Sequence, residues 1–139
     1  MMLTFWNSTD AKCVEAITAI KQMQEKNKDA WAQKVRIVGI SQDERTEDVI
    51  VKDTELGLQA IEHFKDTAEK KISKVWGVKT FPHCVLIDKN GTITWRGQPS
   101  EINVETEINT LLAAEMKAIE APIDLNLSEV EKQFKQILV

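Results

Sequence analysis

The sequence predicts one α/β domain, a central mixed β-sheet with helices on both faces. Three observations carry that prediction. Two apolar runs, residues 3–6 and 35–40, bracket a stretch of helical periodicity; Asn90-Gly91 stands between two β-rich runs; and a second long periodic stretch follows them. Strand, helix and strand with short links close as a right-handed parallel crossover. Asn-Gly between β-rich runs is the strongest short-range signal for an antiparallel hairpin. A sheet that holds both kinds of pairing is mixed, and the crossover helices must cover its faces.

Taken in order, Leu3-Thr4-Phe5-Trp6 reads as a buried strand, because it is short and dominated by apolar residues. Asn7-Ser8-Thr9-Asp10 supplies several residues able to cap a helix. Cys13, Val14, Ile17, Ile20 and Met23 then recur at helical spacing, while Glu25-Lys26-Asn27-Lys28 covers the other face with charge. Val35 to Ile40 is a second buried strand. After Ser41-Gln42-Asp43-Glu44 a polar helix is expected from about Thr46 to Leu56, ended by Gly57. Gln59 to Phe64 alternates apolar with polar and predicts an extra edge strand. Ala68 to Trp76 reads as a helix stopped by Gly77. The hairpin follows, His83 to Asp88, the turn Lys89-Asn90-Gly91, and Thr92 to Trp95. A last helix covers roughly Val104 to Ile119, with Ile108, Leu111, Leu112 and Met116 on one face. The composition shifts at Ala121-Pro122, which divides a domain over 1–120 from a tail over 121–139. Ser128 with Glu131 makes a capping box there for a short amphipathic helix carrying Val130, Phe134, Ile137 and Leu138. That helix either packs back on the domain or offers its apolar face to a partner.

The 139 residues suffice for one core without staples, and 42% hydrophobic with 29% charged residues excludes wholesale disorder. The net charge of −4, with lysines interleaved among glutamates, argues against a nucleic-acid-binding surface. No apolar run approaches membrane-spanning length, and the opening Met1-Met2-Leu3-Thr4-Phe5-Trp6 lacks the pattern of a signal peptide. Cys13 and Cys84 are too far apart for a CxxC pair or zinc knuckle, and with His63 and His83 unclustered the expectation is no metal and no cofactor. Free thiols in a reducing compartment such as the cytoplasm follow from that cysteine usage.

The order of elements, with Phe81-Pro82 directly before the hairpin, resembles the thioredoxin superfamily. The nearest likeness is to its redoxin branch, the TlpA-like thiol-disulfide reductases and nucleoredoxins. Residues 76–99, from Trp76-Gly77 through Phe81-Pro82-His83-Cys84 and Asp88-Lys89-Asn90-Gly91 to Arg96-Gly97-Gln98-Pro99, are similar to that branch's proline, strand, turn and strand signature. Phe5 to Cys13 is similar to its active-site turn, and the likeness spans about residues 3–115. The resemblance implies a thioredoxin fold, to which the tail, outside the likeness, adds an extra C-terminal helix; it also implies a cis Pro82 and a substrate groove at Phe81, Pro82 and His83. It also implies a part in cell redox homeostasis.

The family motif is Phe-Trp-Ala-x-Trp-Cys-x-x-Cys. Counted from Phe5 and Trp6, its first cysteine falls on Asp10 and its second on Cys13, with Ala11-Lys12 between them. The first thiol of such a motif attacks as a thiolate held at a helix N-terminus, and the second resolves the mixed disulfide. A carboxylate at Asp10 enjoys the same helix-end field but does not attack sulfur. The sequence therefore predicts a redox-inactive module that binds a protein partner, through an extended-peptide groove or through the tail helix. The alternative is a monothiol redoxin or peroxidase acting through Cys13, in imitation of the Thr-x-x-Cys of peroxiredoxins. A degenerate redoxin with no surviving role is the third reading. Asp10 beside the thiol should raise its pKa, which opposes the enzyme. Cys84 lies two residues past Pro82 and so shares its sheet face, which leaves a Cys13–Cys84 disulfide conceivable. The loop at Asp43-Glu44 reads as solvated.

Overall fold

The computed structural model describes residues 1–119. β1 (Met2–Trp6) leads into α1 (Ala11–Lys26), the single-turn α2 (Lys28–Trp31) and β2 (Ile37–Ser41). α3 (Thr46–Leu56), β3 (Glu62–Lys65) and α4 (Lys71–Val75) precede the hairpin of β4 (His83–Ile87) and β5 (Ile93–Gly97). A 3-10 turn at Pro99–Glu101 introduces α5 (Val104–Ile119). The strands lie in the order β3-β2-β1-β4-β5. β2 runs parallel to both β1 and β3, whereas β4 is antiparallel to β1 and β5. This is the mixed sheet the sequence predicts. The tail helix expected after Ser128 lies outside the described residues, and among the described residues no helix is long and apolar enough to cross a membrane.

Every residue of β1 is buried, which is why its sequence shows no polar alternation. Met2 and Trp6 face one side, with Cys13, Ile17 and Ile20 of α1, Trp31 of α2, Val49 of α3 and Ile108 of α5. Leu3 and Phe5 face the other, with Val38, Ile40, Val85, Ile87, Trp76 and Val78. Each such side chain contributes on the order of 1.5–3 kcal/mol of burial free energy. The Trp31 indole N–H donates to Asn109 Oδ1 at 2.8 Å, so α2 is tied to α5.

The boundaries differ from expectation where polar groups intervene. α3 ends as predicted, because Gly57 takes the left-handed conformation that a β-carbon would strain. The edge strand begins at Glu62 and not Gln59, since Leu58 and Ile61 are first drawn into the core through a turn closed by Ile61 N–H to Leu58 O at 3.0 Å. α4 begins at Lys71 and not Ala68, because the Asp66 carboxylate accepts from the N–H groups of Thr67, Ile72 and Ser73 and fixes the start of the helix. β5 runs past Trp95, since Arg96 and Gly97 pair with Val85 and Cys84.

Candidate functional site

At the carboxyl end of β1 the chain turns through Asn7–Asp10 before α1. Asn7 Oδ1 accepts from Thr9 N–H at 2.9 Å and from the Thr9 hydroxyl at 2.6 Å. Asp10, extended and solvent-exposed, is the N-cap of α1, and its Oδ1 accepts the Cys13 N–H at 3.1 Å. Ala11 and Lys12 are exposed on the first turn of the helix. Trp6, at the other end of the turn, is fully buried, its ring tilted against His63 at 6.3 Å between centroids. A β-carbon on Gly39 would stand 3.2 Å from the Trp6 Nε1, so only glycine lets the indole lie there without displacement.

A second clamp holds the turn from below. Asp43, only 3% exposed, receives the Ser8 N–H at 3.1 and 3.2 Å and the Ser8 hydroxyl at 2.7 Å. The Ser41 hydroxyl donates to its other oxygen. The expectation of a solvated loop is thus corrected for Asp43, although Glu44 beside it is exposed. A carboxylate this deep persists only because donors surround it.

Cys13 and Cys84 are both fully buried free thiols on one face of the sheet. Burial pushes the Cys13 thiol up, and the charges of Asp10 and Asp43 push the same way, against a lowering backbone hydrogen bond at Asn7. Burial likewise raises Cys84, to about 11, against the Thr4 hydroxyl 3.5 Å from its sulfur. A thiol that is both buried and held neutral is a poor nucleophile.

Phe81, Pro82 and His83 have different surroundings. Phe81 packs against both apolar clusters, and the Phe81–Pro82 peptide is cis. His83 is half-buried, edge-on to Phe5 with 6.4 Å between centroids, and burial together with the Arg96 charge lowers its pKa, against a raising Glu101. Pro82 alone of the three lines a groove of about 760 Å³ between α1 and the 98–105 segment. Lys12 and Pro82 lie along it, Ala16, Ala19, Ile20 and Met23 form the α1 side, and Pro99, Ile102 and Val104 face them. The Lys26–Glu105 ion pair, 3.1 Å, joins the C-terminal end of α1 to α5.

The family model described as thioredoxin-like matches residues 1–93. The chain belongs to the thioredoxin-like family. A search of curated proteins returned no match. Solved structures similar to this thioredoxin-like chain include a putative thiol:disulfide interchange protein DsbE from Chlorobium tepidum, with 22% identity and a TM-score of 0.62 over 81% of this chain and 77% of that one. A putative thioredoxin from Neisseria meningitidis is similar at 24% identity and a TM-score of 0.65, over 81% and 73%. A thiol-disulfide oxidoreductase from Bacteroides fragilis is similar at 23% and 0.60, over 68% and 69%. At these identities the likeness is one of fold.

Sequence reasoning found the Asp10 cap but not the buried carboxylate beneath the turn of this thioredoxin-like domain. Ser8 was legible only as one of several candidate caps and Asp43 only as a loop residue, because nothing local marks a carboxylate that will be buried by a contact thirty-five positions away. Asp66 carried one signal, an acidic residue shortly before a helical run, and Gln42, 5% exposed, carried none.

Proposed function

We propose that this thioredoxin-like domain is a non-catalytic binding module, a structural or adaptor subunit whose partner is a protein segment. The observation that carries the reading is the pairing at the start of α1. The Asp10 carboxylate is spent on the Cys13 N–H, at the position where the family's attacking thiol resides, and the remaining thiol beneath it is fully buried. Disulfide exchange needs an accessible thiolate at the first position. A carboxylate satisfies the helix end electrostatically and supplies no sulfur nucleophile. The groove between α1 and the 98–105 segment supports the binding half of the reading. It is mostly apolar along α1, where Ala16, Ala19, Ile20 and Met23 line it. A monothiol peroxidase acting through Cys13 is disfavoured by the same burial and by the raised thiol pKa.

The test compares insulin disulfide reduction by the chain, by Cys13→Ser and by Asp10→Cys, in the presence of dithiothreitol. The chain and Cys13→Ser should both run at the background rate, whereas Asp10→Cys, which restores the pair of thiols, should exceed it by at least tenfold. A rate in the unaltered chain that Cys13→Ser abolishes would overturn the reading. For the binding half, an extended-peptide library is screened on the chain and on Ala16→Glu. Selected peptides should bind the first and lose affinity roughly tenfold or more on the second, since a charge would then stand in the apolar wall. Equal binding to both would move the partner elsewhere.

A further inference from the structure

Of the six asparagines in the chain, Asn90 alone is followed by glycine. Gly91 has no side chain to obstruct its own nitrogen, so that nitrogen reaches the Cγ of the preceding asparagine more readily than its counterpart at the other five positions. Asn90 is exposed, and its side-chain amide has no partner among the described residues. The next least hindered pair, Asn7-Ser8, is closed to the same approach. There the Ser8 N–H is buried and donates to both oxygens of Asp43, at 3.1 and 3.2 Å, while Asn7 Oδ1 accepts from Thr9.

The frame around Asn90-Gly91 is built from one residue. Gly91 N–H donates to Asp88 O at 3.1 Å, and Asp88 N–H donates to Thr92 O at 2.9 Å. Asp88 Oδ1 accepts from Asn90 N–H and from Thr92 N–H, each at 2.9 Å. Apart from glycines, only Ala32 and Lys70 have positive φ among the described residues. Lys89 and Asn90 therefore both have negative φ and form a type I turn, with Gly91 at φ +83° in the left-handed place that follows it. The second central residue of such a turn has ψ of about 0°. To close a ring on the Asn90 Cγ, the Gly91 nitrogen must swing away from that setting and must first lose its proton. The proton is held by Asp88 O, and the swing draws Thr92 N–H away from Asp88 Oδ1.

We propose that Asn90 is a deamidation site and that Asp88 restrains it. The Gly91 nitrogen, deprotonated by hydroxide, forms a bond to Asn90 Cγ. The Cγ–Nδ2 bond breaks, and the amide nitrogen leaves as ammonia with a proton taken from water, which restores the hydroxide. Nothing is oxidised or reduced. Water then opens the cyclic imide at either carbonyl, leaving an aspartate at position 90 or an isoaspartate whose main chain runs through Cγ. Either product adds a negative charge to a chain of net charge −4 and sets it close to the Asp88 carboxylate. Isoaspartate also lengthens the turn by a methylene. The conversion is a one-way loosening of the hairpin that joins β4 to β5, and it proceeds whatever the groove along α1 binds.

The experiment incubates the full chain, Asp88→Ala and Asp88→Asn at pH 8, folded and in urea, and follows each asparagine by peptide mass spectrometry with isoaspartate detection. In urea all three chains should convert at Asn90 at similar rates, ahead of the other asparagines. Folded, the unaltered chain should convert more slowly than in urea by roughly tenfold or more, the scale set by hydrogen bonds to a carboxylate. Asp88→Asn, whose side-chain carbonyl accepts the same two N–H groups, should stay slow, whereas Asp88→Ala should recover most of the lost rate. Asn7 in the same samples reports unfolding of the whole chain and should stay unconverted in all three folded proteins. No conversion at Asn90 in urea would overturn the site. A folded chain as fast as the unfolded one, an Asp88→Ala as slow as the unaltered chain, or an equal rise at Asn7 would overturn the restraint. So would an Asp88→Asn as fast as Asp88→Ala, since the effect would then be one of charge and not of the two hydrogen bonds.

Discussion

Replacing Asp43 by alanine removes the group that holds the turn before α1, and the cost follows from what remains. The Ser8 N–H and hydroxyl and the Ser41 hydroxyl all donate to this carboxylate, and all three donors belong to buried residues. In Asp43→Ala the Ser8 N–H is left inside the protein with no acceptor, at about 1–3 kcal/mol for one such orphan. The serine hydroxyls can rotate toward other acceptors and add less. A loss of about 3 kcal/mol is therefore expected, a large part of the 5–15 kcal/mol typical of a domain. Asp43→Asn keeps a carbonyl for Ser8 and an amide that can donate to Ser41 Oγ, so its cost should be about half as great. Urea unfolding followed by tryptophan fluorescence measures both, with an unchanged m-value showing that stability alone has moved. Ser8→Ala combined with Asp43→Ala should cost clearly less than the sum of the singles, because they share one interaction. A loss under 1 kcal/mol in Asp43→Ala, or strict additivity in the double variant, would refute the argument that this carboxylate clamps the turn.

Other expectations follow from the same geometry. Ellman's reagent at pH 8 should label neither Cys13 nor Cys84 in the folded chain and both in denaturant, since each is fully buried with a raised pKa; prompt labelling of one thiol would contradict this. Asp66 has a lowered pKa in the folded chain, because the backbone N–H groups of Ser73, Ile72 and Thr67 and the Ser73 side chain together outweigh its desolvation, the largest single cause and one that acts upward. With the folded value below the unfolded one, its contribution is complete above about pH 4 and is lost as pH falls through the lowered folded value. Acid titration of stability should accordingly be flatter in Asp66→Asn than in the unaltered chain over that window. Gly39→Ala should cost about 1–3 kcal/mol and alter the Trp6 fluorescence, because the new methyl would stand 3.2 Å from the indole nitrogen inside a packed core; a neutral substitution would show the ring free to shift.

Local chemistry was enough to place most elements. The apolar runs around Phe5 and Val38, the Asn90-Gly91 turn, the cap at Asp10 and the glycine stop at Gly57 each act within a few residues, so the sequence by itself determined the order of strands and helices and the α/β class. It also showed that the resemblance to the redoxin motif sets Asp10 at the motif's first cysteine position, because identity at a motif position needs no folding to be read. The burial of Cys13 could not be read at that level, and Asp43 read there as a solvated loop residue. Tertiary structure decided where both side chains lie. Exposure is a property of what packs above a side chain, and for Cys13 that is a sheet and helices drawn from the whole domain. Asp43 becomes a structural group only when the β2 and β1 ends lie side by side and bring Ser8 to it across thirty-five positions. Hydrophobic periodicity and turn chemistry are local and survive in the unfolded chain's sequence; burial and hydrogen bonds between distant loops exist only once the sheet has closed.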